Sequence, residues 1–298
     1  MKNNALDDHS RNLIKTRIIN KMKEIKSFPQ FVVETMSKLN DPGSSASDVA
    51  LSLSRDEGLV LRTLKLANSA AYGMSRNISD VSEAIALLGY KNISNIVLAA
   101  TVYSVMDKGL HGYALDRGEL WRHSLTAAHA ARYIAKVTKK IPPEEAYVGG
   151  LLHDIGKVVL NDYVHFGYGL IIEEVEGKNI PFAEAERKII GFDHSAVGSL
   201  LVERWSLPKG YYHSTLLHHN PNDLEPEFAE FQPLVDVVSV ANSICLMMGI
   251  GIGADGLQHY MYPEPLERLG ISDFEGLMAE LVDFASETAQ EMADMKGL

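Results

Sequence analysis

The run Leu151-Leu152-His153-Asp154-Ile155-Gly156-Lys157 sets an imidazole beside a carboxylate at the end of an apolar segment, with a lysine three residues on. Neutral imidazole and carboxylate together suit zinc, iron, manganese or nickel, and the lysine offers a cation for an anionic ligand. A carboxylate among apolar neighbours is costly unless it is paired or bound to a metal. The dipeptide therefore calls for partners elsewhere in the chain.

Four other histidines are placed to answer it. His123 lies in a helix with an apolar flank, His194 follows Gly191-Phe192-Asp193, and His218-His219 closes a helix before Asn220-Pro221. Successive helical residues point about 100° apart, so His218 and His219 are expected to diverge. They would serve two neighbouring ions, or one would bind metal while the other holds a ligand or an outer carboxylate. Asp193 reads as the cap of the helix that begins at His194. The other six histidines, His9, His111, His129, His165, His213 and His259, read as ordinary core or pocket residues, and Cys245, the single cysteine, as a buried small apolar residue.

The elements that must position these groups are helical almost throughout. A polar helix spans about 10–26, and a second carries Val32, Val33, Met36 and Leu39 before the turn Asn40-Asp41-Pro42-Gly43. Ser47 and Asp48 are placed to cap a short helix through Val49, Leu51 and Leu53. Leu59 to Ala67 continue the pattern. Val81, Ala84, Ile85 and Leu88 form a helix that Gly89 would end, and another runs from Asn92 to about Met106. After a connection over 109–118, a helix from Glu119 to Lys136 bears His123. Pro142-Pro143 opens the helix that delivers His153-Asp154. Helices follow around 158–176, 181–190, 195–205, 210–219 and 234–248. Gly249, Gly251, Gly253 and Gly256 mark a loop with neither the strand nor the spacing of a phosphate cradle. An acidic amphipathic helix is expected over 273–295.

Composition narrows the classes. The chain has 298 residues, 46% hydrophobic and 22% charged, as in a globular protein with a sizeable core. A formal net charge of −11, concentrated at Asp223, Glu225, Glu227 and Glu230 and again between Asp273 and Asp294, argues against general nucleic-acid binding. A small phosphorylated ligand in a local basic pocket stays open. No apolar run approaches the ~20 residues of a membrane helix, the N-terminus lacks a signal-peptide core, and one cysteine allows no internal disulfide, which together point to the cytoplasm.

The order His123, His153-Asp154, His194, His218-His219 resembles the HD superfamily of metal-dependent phosphohydrolases. More specifically, the chain resembles the HDOD family, the HD-related output domain. The likeness rests also on Phe28-Pro29-Gln30, Ser54-Arg55-Asp56-Glu57-Gly58-Leu59, and Leu64-Lys65-Leu66-Ala67-Asn68-Ser69-Ala70-Ala71-Tyr72-Gly73. Ala84-Ile85-Ala86-Leu87-Leu88-Gly89, Gly191-Phe192-Asp193-His194 and Trp205-Ser206-Leu207-Pro208 extend it over roughly 26–248. It implies an all-α fold in which an N-terminal helical subdomain packs on an HD-like one. The segments are then an extension over 1–25, HDOD parts over 26–115 and 116–248, and a C-terminal loop and helix over 249–298. The implied ligands are His123, His153, Asp154, His194, His218 and His219, holding one or two divalent ions such as Fe, Mn, Ni or Zn.

Two departures bear on activity. Where HD phosphohydrolases have a late aspartate, Val237-Val238-Ser239-Val240-Ala241-Asn242 places Asn242, a neutral and weaker ligand, with Asp236 a less suitable substitute. Where the related HD-GYP phosphodiesterases carry Gly-Tyr-Pro, the chain reads Asn220-Pro221-Asn222-Asp223-Leu224. One expectation is thus a bacterial signal-transduction regulator whose pocket holds metal, senses a ligand or is a relic, and which meets a signalling partner in trans. The other is a metal-dependent phosphohydrolase acting on a nucleotide or cyclic dinucleotide, in which Asp154 and Lys157 are catalytic and Lys157 steadies phosphate. The oligomeric state stays open.

Overall fold

Caps and turns written into the sequence delimit the helices of the computed structural model, which describes residues 30–69, 72–74, 76–251, 253–256 and 260–282, with Leu13, Thr16, Arg17 and Asn20. The fold is all-α. Among the described residues there is no strand, only an isolated bridge between Leu110 and Leu115. Most of the helix expected over 10–26, and 283–295 of the C-terminal one, lie outside the described residues; 274–282 are helical.

The chain divides into two compact units: of the described residues, 30–105 with 279–282 form one, and 106–278 the other, together with the four N-terminal positions. In the first unit, α1 (Gln30–Asn40), α2 (Ala46–Leu53), α3 (Glu57–Ala67) and α4 (Val81–Met106) bury Val32, Leu39, Val49, Leu53, Leu59, Leu66, Ala84 and Ile85. Asp41 Oδ1 accepts from Gly43 N at 2.9 Å, which sets the turn after α1. The cap of α2 is Ser45, not Ser47. Its hydroxyl accepts from Asp48 N, and Asp48 accepts from Ser45 N in return, a closed capping box. Val49 and Leu53 share the inner face four residues apart, which leaves Leu51 exposed. Between α1 and α2 the buried Thr35 hydroxyl donates to Ser52 Oγ at 2.7 Å.

α4 contains the break expected at Gly89, whose φ of 80° and ψ of 161° lie in a region open essentially to glycine alone. α4 is long and apolar enough, by length and composition, to cross a membrane, yet half of its most apolar 18-residue stretch is buried within the protein.

The second unit contains α5 (Glu119–Thr138), α6 (Pro143–Leu152), α7 (Gly156–Lys178), α8 (Phe182–Ile189), α9 (His194–Arg204), α10 (Lys209–Leu217), α11 (Gln232–Met247) and α12 (Pro263–Leu269). α5 packs on α6 and α11, α7 on α8 and α9, and α10 on α9 and α11. The connection before α5 is not a plain loop: His111–Tyr113 forms a 3-10 turn packed on α7. At Gly156 the chain passes so close to α9 that an added Cβ would lie 1.9 Å from His194 O. This close approach brings the start of α7 and the start of α9 to one place, just after His153-Asp154.

Candidate metal centre

Local signals place each polar group. Pro143 begins α6 with Glu144 and Glu145 in its first turn, and the helix stops at Leu152, so His153 and Asp154 fall on the turn into α7. Asp193 caps α9, its carboxylate accepting from Ala196 N at 2.7 Å, and also pairs with Arg187. His194 is thereby the first residue of α9. α10 ends at Leu217, so His218 and His219 lie on a turn rather than within a helix. The expected divergence of these two therefore fails: their ring centroids are 4.0 Å apart and both reach the same cluster.

The structure brings together every residue singled out for this pocket. Asp154 lies at the middle. Its Oδ2 is 3.2 Å from His153 Nε2 and 3.4 Å from His123 Nε2, while its Oδ1 is 3.5 Å from His194 Nε2 and 3.6 Å from His218 Nε2. Donor atoms of His123, His153 and Asp154 lie within 4.8 Å of one another, as do those of Asp154, His194, His218 and His219. Asn242 Oδ1 is 3.0 Å from His123 Nε2. Asp236 is elsewhere, paired with Arg268 and Gln232. All the ligand-type groups are buried except His219, which is half-buried.

The outer ring nitrogens explain the orientation. His123 Nδ1 lies 2.9 Å from Ile250 O, His153 Nδ1 2.7 Å from Gly150 O and His218 Nδ1 2.7 Å from Thr215 O. A carbonyl oxygen only accepts, so each Nδ1 carries the proton, and a neutral ring then turns a bare Nε2 lone pair inward. His194 Nδ1 donates instead to Glu186 Oε2 at 2.7 Å, and its backbone N–H reaches the same oxygen. Tyr113 OH donates to the other Glu186 oxygen at 2.5 Å.

Two bare acceptors thus face one another, His123 and His153 Nε2 at 3.2 Å, while His194 and His219 share a 2.9 Å contact between their Nε2 atoms. Asp154 Oδ1 and His218 Nε2, both buried and 3.6 Å apart, make no hydrogen bond among the described residues. With neutral rings, the carboxylates of Asp154 and Glu186 stand against one ammonium, Lys157, and the cluster is negative. These residues fit one or two divalent cations: the donors are nitrogen and oxygen, they converge, and the orphaned pair has no hydrogen-bond partner among the described residues.

Protonation follows the same pattern. Burial pushes His123 down to about 4 against the pull of Asp154, and burial pushes His218 down to about 4 as well. Burial also opposes charge on His194, but the Glu186 carboxylate beside it raises the ring above its ordinary value. Burial would raise Asp154; the charge of His153 when that ring is protonated, and the Lys157 ammonium, outweigh it and hold the carboxyl well below its ordinary range.

Lys157 is buried and paired within the cluster. It is not a solvated cation at a helix end, for it is 2% exposed in the first turn of α7. Its Nζ donates to Asp154 Oδ2 at 2.6 Å and lies 5.8 Å from the Tyr113 ring centre. Sequence reasoning missed Glu186, Tyr113 and the three carbonyls. Glu186 had a readable signal: it sits on the apolar face of α8 with Phe182, Ala183 and Ile189, where a carboxylate needs a partner. The carbonyls had none, since any residue supplies one.

Residues 25–221 match the model of the HDOD domain. The chain belongs to the HDOD family. An uncharacterized protein of Treponema pallidum (strain Nichols) is 29% identical over 228 residues, which cover 76% of this chain and 43% of the relative. The chain therefore spans less than half the length of that relative. Among solved structures, an HDOD protein of unknown function from Geobacter sulfurreducens superposes with a TM-score of 0.69 at 27% identity, covering 94% of this chain and 97% of its own. A Shewanella amazonensis SB2B protein provisionally named a phosphohydrolase gives 0.70 at 21%, over 93% and 98%. A Marinobacter aquaeolei VT8 protein provisionally named for signal transduction gives 0.70 at 18%, over 96% and 66%. The last two show the shared fold alone. Within this HDOD protein, Asp154 and His218 are buried and His219 is the half-buried member of the cluster.

Proposed function

We propose that this HDOD protein is a signal-transduction regulator whose buried His–Asp centre holds one or two divalent transition metals. The observation that carries the metal is the convergence of the bare Nε2 lone pairs of His123, His153 and His218 on Asp154, each fixed by an outer hydrogen bond from Nδ1 to a main-chain carbonyl. Three features favour regulation over turnover. The Lys157 ammonium rests on Asp154 instead of facing an incoming anion, Asn242 supplies an amide where a carboxylate would add charge, and the ligand atoms are buried up to the half-open edge at His219. The acidic chain fits a protein partner in trans or a small phosphorylated ligand better than nucleic acid, and a cytoplasmic setting agrees with its single, buried cysteine.

The half-open edge at His219 and the full set of nitrogen donors favour a second reading, metal-dependent phosphohydrolysis. A divalent ion would supply Lewis acidity and a water of lowered pKa. Asp154 would position the ions, and Lys157 would have to leave Asp154 to steady phosphate. Metal analysis of the purified protein, with turnover assays on nucleotides, cyclic dinucleotides and a simple phosphodiester, separates the two. Bound metal without turnover is the result expected. Turnover abolished by His153→Ala would overturn the regulatory reading, and absence of metal after supplementation would overturn both.

A further inference from the structure

The glycine-rich loop after α11 has a use that the phosphate-cradle comparison does not touch. α11 ends in a Schellman turn: Ile250 N donates to Cys245 O at 3.0 Å and Gly249 N to Leu246 O at 3.1 Å, with Gly249 at φ 76°. This turn aims the Ile250 carbonyl at His123 Nδ1. Eight residues earlier on the same helix, Asn242 Oδ1 meets His123 Nε2. One helix end thus sets an oxygen against each nitrogen of a single imidazole, and a neutral ring with its proton on Nδ1 donates only to the Ile250 carbonyl. Gly251 lets it close: its φ is +61°, and a Cβ there would lie 2.6 Å from His123 Cβ and 2.8 Å from Glu119 O on α5. Neither neighbour can yield, one being the root of the ligand side chain and the other backbone.

Resting on the metal-centre reading above, we propose that Gly251 and the Ile250 carbonyl are positioning elements for the His123 half of the centre. The carbonyl selects the tautomer that bares Nε2, and Gly251 is the residue that lets the carbonyl reach it. A side chain at 251 lifts the loop from α5, frees His123 Nδ1 and weakens metal binding at His123 and His153, with His194, His218 and His219 unaltered. Loss of an outer partner of a metal-bound histidine typically costs about 10–100-fold in affinity.

The test uses the full chain with 15N-labelled histidine, first metal-free in chelator and then titrated with zinc(II). In the unaltered protein His123 is expected as the Nδ1–H tautomer, with two zinc ions bound per chain. Gly251→Ala should lose that tautomer signature and retain one tight ion. Gly270→Ala is the control: Gly270 also has a positive φ, +74°, with nothing within 4 Å of an added Cβ, so it carries the backbone strain without the contact. It should leave both readouts unchanged. An unchanged His123 signature in Gly251→Ala, or two zinc ions retained with undiminished affinity, overturns the proposal. Should Gly251→Ala not fold, the unaltered protein decides: His123 as Nε2–H overturns it and Nδ1–H supports it. If the unaltered protein binds no zinc, the metal-centre reading fails, and the tautomer comparison still tests the support at His123.

Discussion

The two halves of the cluster share Asp154 and little else. On one side, His123 and His153 are backed by main-chain carbonyls, their third neighbour is the neutral Asn242, and the Asp154 oxygen facing them also accepts from Lys157. On the other, His194 is backed by the Glu186 carboxylate, itself held by Tyr113, and the facing Asp154 oxygen carries no ammonium. The second half is therefore the more negative. One residue type serves both, yet the ring backed by a carboxylate is raised and His123, backed by a carbonyl, is held near 4. The group behind a histidine decides as much as the group in front of it.

The largest effect should come from removing what the halves share. Asp154→Asn is expected to abolish metal binding in both and to lower the stability of the metal-free protein by about 3 kcal/mol, because Lys157 is left buried without its carboxylate. Metal stoichiometry and urea unfolding would show it; loss from one half only would mean that Asp154 does not bridge them.

Acid comes next. The native rings of His123 and His218 titrate near 4, so between about pH 6.5 and 4 the unfolded chain binds more protons than the native one. Metal-free stability should fall as pH drops through that window, by up to ~3 kcal/mol per ring. His194 has the opposite sign: its contribution is complete below its unfolded value and is lost as pH rises through its raised native value. Denaturation midpoints from pH 4 to 8 should therefore pass through a maximum, and a profile flat below pH 6.5 would contradict the buried neutral rings.

Glu186→Gln keeps the shape and removes the charge behind His194. It should weaken the second half about 10–100-fold while sparing the first, and equal weakening of both would erase the distinction between them. The smallest effect expected is a gain: Asn242→Asp adds an anionic ligand beside His123 and should tighten the first half about tenfold, measurable by competition with a metal-sensitive dye.

Much of this was legible along the chain. Apolar positions three and four apart marked the helices, Pro143 and Asp193 marked two of their starts, and Gly89 marked a break. His153-Asp154 after two leucines announced an expensive pair in need of partners. Local sequence does not place the cap of α2, because Ser45 and Ser47 are equally good acceptors, and only the closed loop with Asp48 selects Ser45. His218 and His219 differ from the helical expectation for a similar reason: the 100° rule ends where the helix ends, one residue before His218.

The sequence by itself determined the helical class and the set of histidines and the aspartate that meet in the cluster, because residue type and motif spacing mark both. The tertiary structure alone decided that Asp154 stands between two groups of histidines, that Lys157 is spent on it, and which atoms hold each ring. Those are contacts between residues as far apart as His123 and Ile250, many made by backbone carbonyls that every residue carries and no residue advertises.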